Sequence, residues 1–260
     1  MRSDNFTPKK IHFILLGASN LARARFGLNR YLEKSFPNLI LTSITSGPGR
    51  AYSITGGILG VNYLPLKNDP IFKLGFENRL KHDLNIAIIC DIGNDILYGV
   101  PVQNLTQDLE KIIYNLSVFC SHIFTIPIPF KKLKTLNYHQ INILKKILFP
   151  KCTLSPEKII TSIKVVNTFL HEINIPKFTL LKTMDNYIGW DLAHYGIFKM
   201  HAAWTHIIDQ IAQELFLSTN KTIDQKLMFR SFVSYWKTFF FKDIIPSVLK
   251  YGNRFDQTGL

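Results

Sequence analysis

Five short, nearly unbroken apolar runs constrain this chain more than any other feature. They are "IHFILLG" (11–17), "NLILTSIT" (38–45), "NIAIIC" (85–90), "HIFTIPIP" (122–129) and "KFTLLKTM" (177–184), each bounded by turn-forming or polar residues. A strand with one face in water alternates apolar and polar side chains. These runs hardly alternate, which suits strands covered on both faces, as in a parallel sheet. Helical patterns lie between them. Leu21, Phe26, Leu28 and Leu32 mark residues 20–35, and Leu105, Leu109, Ile112, Leu116 and Phe119 recur over 104–119 close to a 3.6-residue period. Residues 131–173 predict two helices, interrupted near "FPKCTLSP" by Pro150 and Pro156. A further helix is expected over 198–216. Strands alternating with helices predict a doubly wound α/β domain, with right-handed crossovers placing helices on both faces of the sheet. Residues 51–80, rich in Gly, Pro and Asn, predict loops and short helices that wall one edge of the sheet.

The chain has 260 residues, of which 47% are hydrophobic, enough to build a core and to exclude wholesale disorder. No apolar run approaches the ~18 residues of a membrane span. The start, "MRSDNFTPKK", leads into a strand pattern without a signal segment, so a cytoplasmic location is expected. Cys90, Cys120 and Cys152 lie far apart, with no CxxC pair and no zinc spacing. Neither a disulfide framework nor a metal site is expected from them. The net charge of +13 raises nucleic acid as a partner, but the lysines are spread along the whole chain rather than gathered in one arm. Nucleic acid is therefore not the expected partner.

The chain divides into an α/β domain over 1–216 and an extension over 217–260. In the extension, "KLMFRSFVSYWKTFFF" puts Phe229, Phe232, Trp236 and either Phe239 or Phe240 on one helical stripe. Such stripes usually mark a core face, so the favoured expectation is a helix packing its aromatics on the domain. The alternative is peripheral membrane contact through 226–242, aided by Lys226, Arg230, Lys237 and Lys242.

Polar residues with chemical potential follow four of the five strands. Strand one ends in Gly17-Ala18-Ser19-Asn20, strand two in "SGPGRAYS", strand three in "DIGNDILYG", and strand five leads to "GWDLAHYG". In an open parallel sheet the loops at the carboxyl ends of the strands share one edge, where ligands bind. A serine hydroxyl needs a base within hydrogen-bond reach, and His194 is the candidate to accept the proton of Ser19. Asp191, three residues earlier, is placed to orient the imidazole. The backbone N–H of Ser19, an N–H of a glycine after strand two, and the side-chain amide of Asn94 form a candidate oxyanion hole. Asn20, Arg50 and Tyr52 are candidate substrate contacts, with pairing to a surface carboxylate as the equal alternative for Arg50. Each feature also has a plainer reading: Ser19 as a helix cap, Gly47-Pro48-Gly49 as a turn, Asn94 and Asp95 as turn residues. His201 and His206 raise a metal question that no ligand spacing supports, and no cofactor is expected.

These blocks resemble the SGNH hydrolases, also called GDSL esterases and lipases. That family carries Gly-Asp-Ser after strand one, a glycine after strand two, Gly-x-Asn-Asp after strand three and Asp-x-x-His near the C-terminus. The chain shows "LLGASN", "SGPGRAYS", "DIGND" and "DLAH" in the same order over roughly residues 11–215. The resemblance implies a flavodoxin-like three-layer α/β/α sandwich with a five-stranded parallel sheet of order 2-1-3-4-5. It also implies an ester hydrolase with Ser19 as nucleophile, His194 as base, and Gly49 (or Gly47) and Asn94 completing the oxyanion hole. The chain departs from the pattern in two places. Ala18 stands where the family usually has aspartate, and Ile92 where the third block usually has glycine. These departures keep a non-catalytic binding protein of the same fold as the rival reading. For the small-molecule ester substrate, the apolar content of 51–80 is expected to line an acyl pocket, whereas the Gly-Arg pair at 49–50 points to O-acetylated sugars.

Overall fold

The computed structural model describes residues 10–36, 38–78, 83–217 and 222–246. The ends of both proposed segments, 1–9 and 247–260, lie outside the described residues. Five strands, β1 (Ile11–Leu16), β2 (Leu39–Thr45), β3 (Leu84–Ile89), β4 (His122–Thr125) and β5 (Phe178–Leu180), form one sheet. All pairings are parallel and the spatial order is β2-β1-β3-β4-β5. This is the doubly wound order that the resemblance implied.

The near-continuous apolar runs have a simple cause. Successive residues of a strand point to opposite faces, and here both faces are covered. Phe13, Leu15, Ile86, Ile88 and Phe124 pack on one side against α1 (Ser19–Ser35), which offers Leu21, Ala24, Leu28 and Leu32, and against Trp204, Ile207 and Ile211 of α8 (Met200–Glu214). Ile14, Leu16, Ala87, Ile89 and Ile123 pack on the other side against α4 (Val102–Ser117) and α7 (Pro156–Glu172). A polar exception lies at the amino-terminal end of the sheet. Buried His12 is held across strands by Asn85 Oδ1 at 3.1 Å and Ser43 Oγ at 2.9 Å.

Two strands end sooner than their apolar runs. β4 stops at Thr125 because Pro127 and Pro129 have no N–H to give the ladder. β5, at the sheet edge, then has no partner beyond Leu181, whose N–H reaches Thr125 O. The 51–80 segment contains a 3₁₀ turn at Leu66–Asn68 and α2 (Ile71–Asn78). Beyond β3 comes the single turn α3 (Asn94–Leu97).

The region after β4 holds three helices rather than the two expected over 131–173. They are α5 (Lys131–Thr135), α6 (Tyr138–Leu148) and α7. The extra break lies at Asn137, whose side chain caps α6 in a capping box with Gln140. Ser155 caps α7 and Pro156 occupies its first turn, where a missing N–H costs nothing.

The extension supplies α9 (Gln225–Phe239), which packs on α1. Its buried residues are Met228, Ser231, Tyr235 and Phe239, a face turned about one residue from the expected Phe229–Phe232–Trp236 stripe. The reason is a close helix crossing at Gly27. The Ser231 hydroxyl donates to Arg23 O and accepts from Gly27 N–H, and a side chain at Gly27 would press on Ser231 Cβ. Phe232 sits under the Arg23 guanidinium at 4.8 Å. Phe229, Trp236 and Phe240 are left on the exposed side. No helix among the described residues is long and apolar enough to cross a membrane.

Candidate active site

The loop that carries Ser19 is shaped by close packing and by one carboxylate. A side chain on Gly17 would lie 2.4 Å from Cys90 Sγ, so the turn out of β1 needs glycine. Ala18 then occupies the cap position of α1 without a capping side chain. The missing cap comes from Asp91, at the end of β3. Its Oδ2 accepts the N–H groups of Ala18, Asn20 and Leu21 at 2.9, 3.0 and 3.2 Å. A carboxylate at a helix N-terminus both satisfies orphan donors and complements the helix dipole. Asp91 adopts φ +61°, a left-handed conformation tolerable for a short polar side chain held by its own hydrogen bonds. The aspartate that Ala18 lacks is thus replaced from another strand. The Ser19 N–H, between the three N–H groups Asp91 takes, has no acceptor among the described residues.

The candidate base and its partner lie on the loop after β5. His194 Nδ1 is 2.7 Å from Asp191 Oδ2, and Asp191 Oδ1 accepts from the backbone N–H of Ala193 and His194 at 3.2 and 3.0 Å. Burial works to raise the Asp191 carboxyl, but the His194 side chain and these backbone donors outweigh it and hold it below the ordinary carboxylate value. An ionised Asp191 fixes the proton on Nδ1 and leaves the Nε2 lone pair free to act as a base.

Asn20 joins the two loops. Its amide nitrogen donates to Asp91 Oδ1 at 2.8 Å and to Ala193 O at 3.2 Å, and its Oδ1 accepts from Tyr195 N–H at 2.8 Å. Both of its amide hydrogens and its Oδ1 are engaged inside the protein, and it is buried. Asn20 also lines the cavity, and the bonds it makes tie the Ser19 loop to the His194 loop. Arg23 adds a contact to Tyr195 O, and burial draws its guanidinium below the usual range against the pull of Asp191 and Asp91.

On the opposite side, the Asn94 amide donates to Arg50 O at 2.9 Å, which places the second-block loop beside the third. Gly49 adopts φ +70° and its carbonyl accepts the Tyr98 hydroxyl at 2.7 Å, so a side chain there would be both strained and blocked. The next residue after Asn94, Asp95, is fully buried and accepts the N–H groups of Tyr52 and Ser53. Burial pushes its carboxyl up to about 6 against those hydrogen bonds.

Two of the candidate substrate contacts lie away from the cavity, each engaged within the protein. Arg50 is buried and committed to Asp69 at 2.6 Å, Thr45 Oγ1 at 2.7 Å and Leu64 O at 3.2 Å. Tyr52 is fully buried, its hydroxyl donating to Cys90 O at 2.6 Å with Leu16 O 3.1 Å away. Neither lines the cavity of the site. Ile92, where the family usually has glycine, is absorbed into the core under α4. Among the described residues no three His, Cys, Asp or Glu side chains converge as a metal site, and His206 packs against the Tyr187 ring.

A cavity of about 140 Å³ opens at this edge. Ser19, Asn94, Asp191 and Ala193 line one part of it, and the rest is lined mainly by apolar residues of 126–163, with Ile96, Leu97, Ile188 and Leu192 beside them. None of its lining residues comes from 51–80, so that segment is not the acyl-pocket wall it was expected to be. Ser19 Oγ makes no hydrogen bond among the described residues. Catalytic hydrogen bonds are often long without substrate and shorten to ~2.6–3.2 Å only in the reacting complex.

Of the residues that hold the site, Asp91 and the roof helices α5 and α6 were not anticipated. A signal for Asp91 existed: it is the first residue of "DIGND", at the sheet edge where Ala18 leaves a helix uncapped.

No protein-family model matches the sequence, and no curated protein matches it. Among solved structures, one at 11% identity aligns over 79% of this chain and 99% of its own, with a TM-score of 0.51. A carbohydrate acetylesterase family member from Sinorhizobium meliloti aligns at 10% identity over 79% of this chain and 100% of its own, TM-score 0.48. The psychrotrophic esterase EstA from Pseudoalteromonas sp. aligns at 13% identity over 78% and 98%, TM-score 0.42. The sheet order and the first of these matches show the architecture alone: a doubly wound α/β fold with sheet order β2-β1-β3-β4-β5, in which Ser19, Asn94 and the Asp191–His194 pair follow the first, third and fifth strands.

Proposed function

We propose that the protein is a serine ester hydrolase. Ser19 Oγ attacks the ester carbonyl while His194 Nε2 takes its proton. His194 then delivers that proton to the leaving alkoxide, and water releases the acyl group by the same steps in reverse. Asp191 holds the imidazole tautomer and stabilises its charged form. The Ser19 N–H and the Asn94 amide, together with the Gly49 N–H, stabilise the oxyanion. The observation that carries this reading is the Asn20 bridge. It ties the loop of a paired Asp191–His194 to the loop of a serine whose own N–H is left unbonded.

Ser19→Ala is expected to lower kcat/KM on p-nitrophenyl butyrate by a factor on the order of 10⁴ or more with the melting temperature unchanged. The wild-type serine, and not the variant, should be labelled by a fluorophosphonate probe. A folded wild-type protein inert to both reagents would favour the non-catalytic binding reading.

A second proposal concerns α9. Its outward Phe229, Val233, Trp236 and Phe240 stand among Lys226, Arg230 and Lys237, all exposed. This supports peripheral contact with an anionic membrane surface. Flotation with phosphatidylserine vesicles should carry the protein and lose it on Trp236→Ser/Phe240→Ser; no flotation of the wild type would remove the proposal.

A further inference from the structure

The cavity has two chemically distinct parts, and the apolar part extends well beyond the reacting atoms. Past Ser19 and Asn94 it is bounded by Ile128, Leu133, Ile141, Leu144, Phe149 and Ile163. Ile128 follows β4, Leu133 lies on α5, Ile141 and Leu144 on α6, Phe149 just after it, and Ile163 on α7. α5 and α6 therefore form a roof inserted between β4 and α7.

The charged groups on this wall are already engaged. Asp185 Oδ1 accepts the Phe130 and Lys131 N–H groups at the start of α5, and its Oδ2 accepts the Thr183 hydroxyl. Lys132 Nζ donates to Ile188 O at 2.5 Å, and Lys145 Nζ to Leu154 O at 2.7 Å. The deep part is thus walled by hydrocarbon, with its polar groups turned to the protein's own backbone. Such a space favours an alkyl group over a hydroxylated one, because a buried hydroxyl without a partner is penalised.

The volume limits the guest. An apolar protein cavity of about 150 Å³ stays dry and holds benzene, six carbons. At about 140 Å³ this one matches an acyl chain of similar carbon count. An acetyl group would leave most of the apolar wall uncovered, and a sixteen-carbon chain would not fit without opening the roof.

We propose that the cavity beneath α5 and α6 is an acyl-chain pocket that selects medium-chain esters, of about four to eight acyl carbons, with the acyl rather than the alcohol half of the ester inside. The proposal rests on Ser19 being the nucleophile, since that residue puts the carbonyl at the cavity's polar end. Each methylene up to the limit should raise kcat/KM about fourfold, the ~0.8 kcal/mol of a buried CH₂. Four extra methylenes, from acetyl to hexanoyl, should amount to a factor on the order of a hundred.

The test uses the isomeric pair ethyl hexanoate and hexyl acetate, which share composition and differ only in which half is long, followed by ethyl esters from acetate to palmitate. Ethyl hexanoate should be hydrolysed on the order of a hundredfold faster than hexyl acetate, with a fall beyond eight acyl carbons. Leu144→Phe should move the optimum to shorter chains and Leu144→Ala to longer ones, so that one misfolded variant does not end the test. Equal rates for the isomers, a preference for hexyl acetate, or an optimum unmoved by both variants would overturn the proposal. Hexanamide binding, followed by NMR on Ser19→Ala, separates the two layers of inference. Binding without wild-type turnover of any ester rejects the hydrolase reading but leaves the pocket, whereas turnover without hexanamide binding rejects the pocket.

Discussion

The polar floor of the site and its apolar roof are held in opposite ways. On the floor, Asp91, Asn20 and Asp191, from three separate strand ends, use their side-chain oxygens and nitrogens on backbone groups of the loops after β1 and β5. Every bond there has a defined direction, so the loops of Ser19 and His194 have one relative placement. In the roof, hydrogen bonds from Asp185 and Lys132 fasten α5, while α6 rests mainly on packing. Ile141 is the one residue of α6 that is fully buried, while Ile143 and Ile147 face outward. Hydrocarbon contacts have little directionality and tolerate repacking. The difference teaches where variation is affordable: on the proposed reading, the chemistry would depend on a lattice that a single lost acceptor disrupts, and the selectivity on a wall that can be recut.

The most severe way to break this comparison is Asp91→Ala, which leaves the three N–H groups of Ala18, Asn20 and Leu21 without their acceptor. A loss of about 3–5 kcal/mol in unfolding free energy is expected, from the cost of several buried unsatisfied donors. Esterase activity should fall with it, even at temperatures where the variant remains folded. Urea unfolding with stability unchanged to within about 1 kcal/mol would show that water substitutes for the carboxylate and that the lattice is less demanding than its geometry suggests.

Asn20→Ala should be milder for stability, about 1–3 kcal/mol, but specific in its kinetics. It uncouples the His194 loop from the Ser19 loop without touching either reacting group. The expected loss is ten- to a hundredfold in kcat with little change in KM, as for a positioning residue. Asn20→Asp, which keeps the acceptor for Tyr195 N–H but loses the donors and faces Asp91 with like charge, should not rescue it. An unchanged kcat in Asn20→Ala would remove the bridge from the account of the site. At the mild end of the series stand the Leu144 substitutions of the roof, expected to act on chain-length preference more than on the rate of the best substrate.

How far the chain could be read in advance depends on what kind of interaction set each feature. The five strands were visible because burial on two faces imposes an apolar run, a local property. Most of the helices showed themselves through a 3.6-residue period, and Ser19, Asn94, Asp191 and His194 through their places after the strands. The helix break at Asn137 was less visible, since a capping box interrupts an apolar pattern without a proline or glycine to mark it. The partners of Arg50 and Tyr52 were not legible for a different reason. A charged side chain and a phenol beside a glycine-rich turn look exposed, and only the folded chain brings Asp69 and the carbonyls of Leu16 and Cys90 to meet them. The buried face of α9 was displaced by one residue because the small Ser231 fits against Gly27 where an aromatic would not.

By itself, then, the sequence determined the layers of this protein and the order of its chemically active residues, since hydrophobic patterning acts over a few residues at a time. Tertiary structure alone decided that a carboxylate from the third strand would cap the helix of the first, that one asparagine would bind the His194 loop to the Ser19 loop, and that the cavity wall would come mainly from 126–163 instead of 51–80. Those outcomes rest on directional bonds and packing between segments up to 175 residues apart, and no local pattern encodes which partner a distant backbone group will meet.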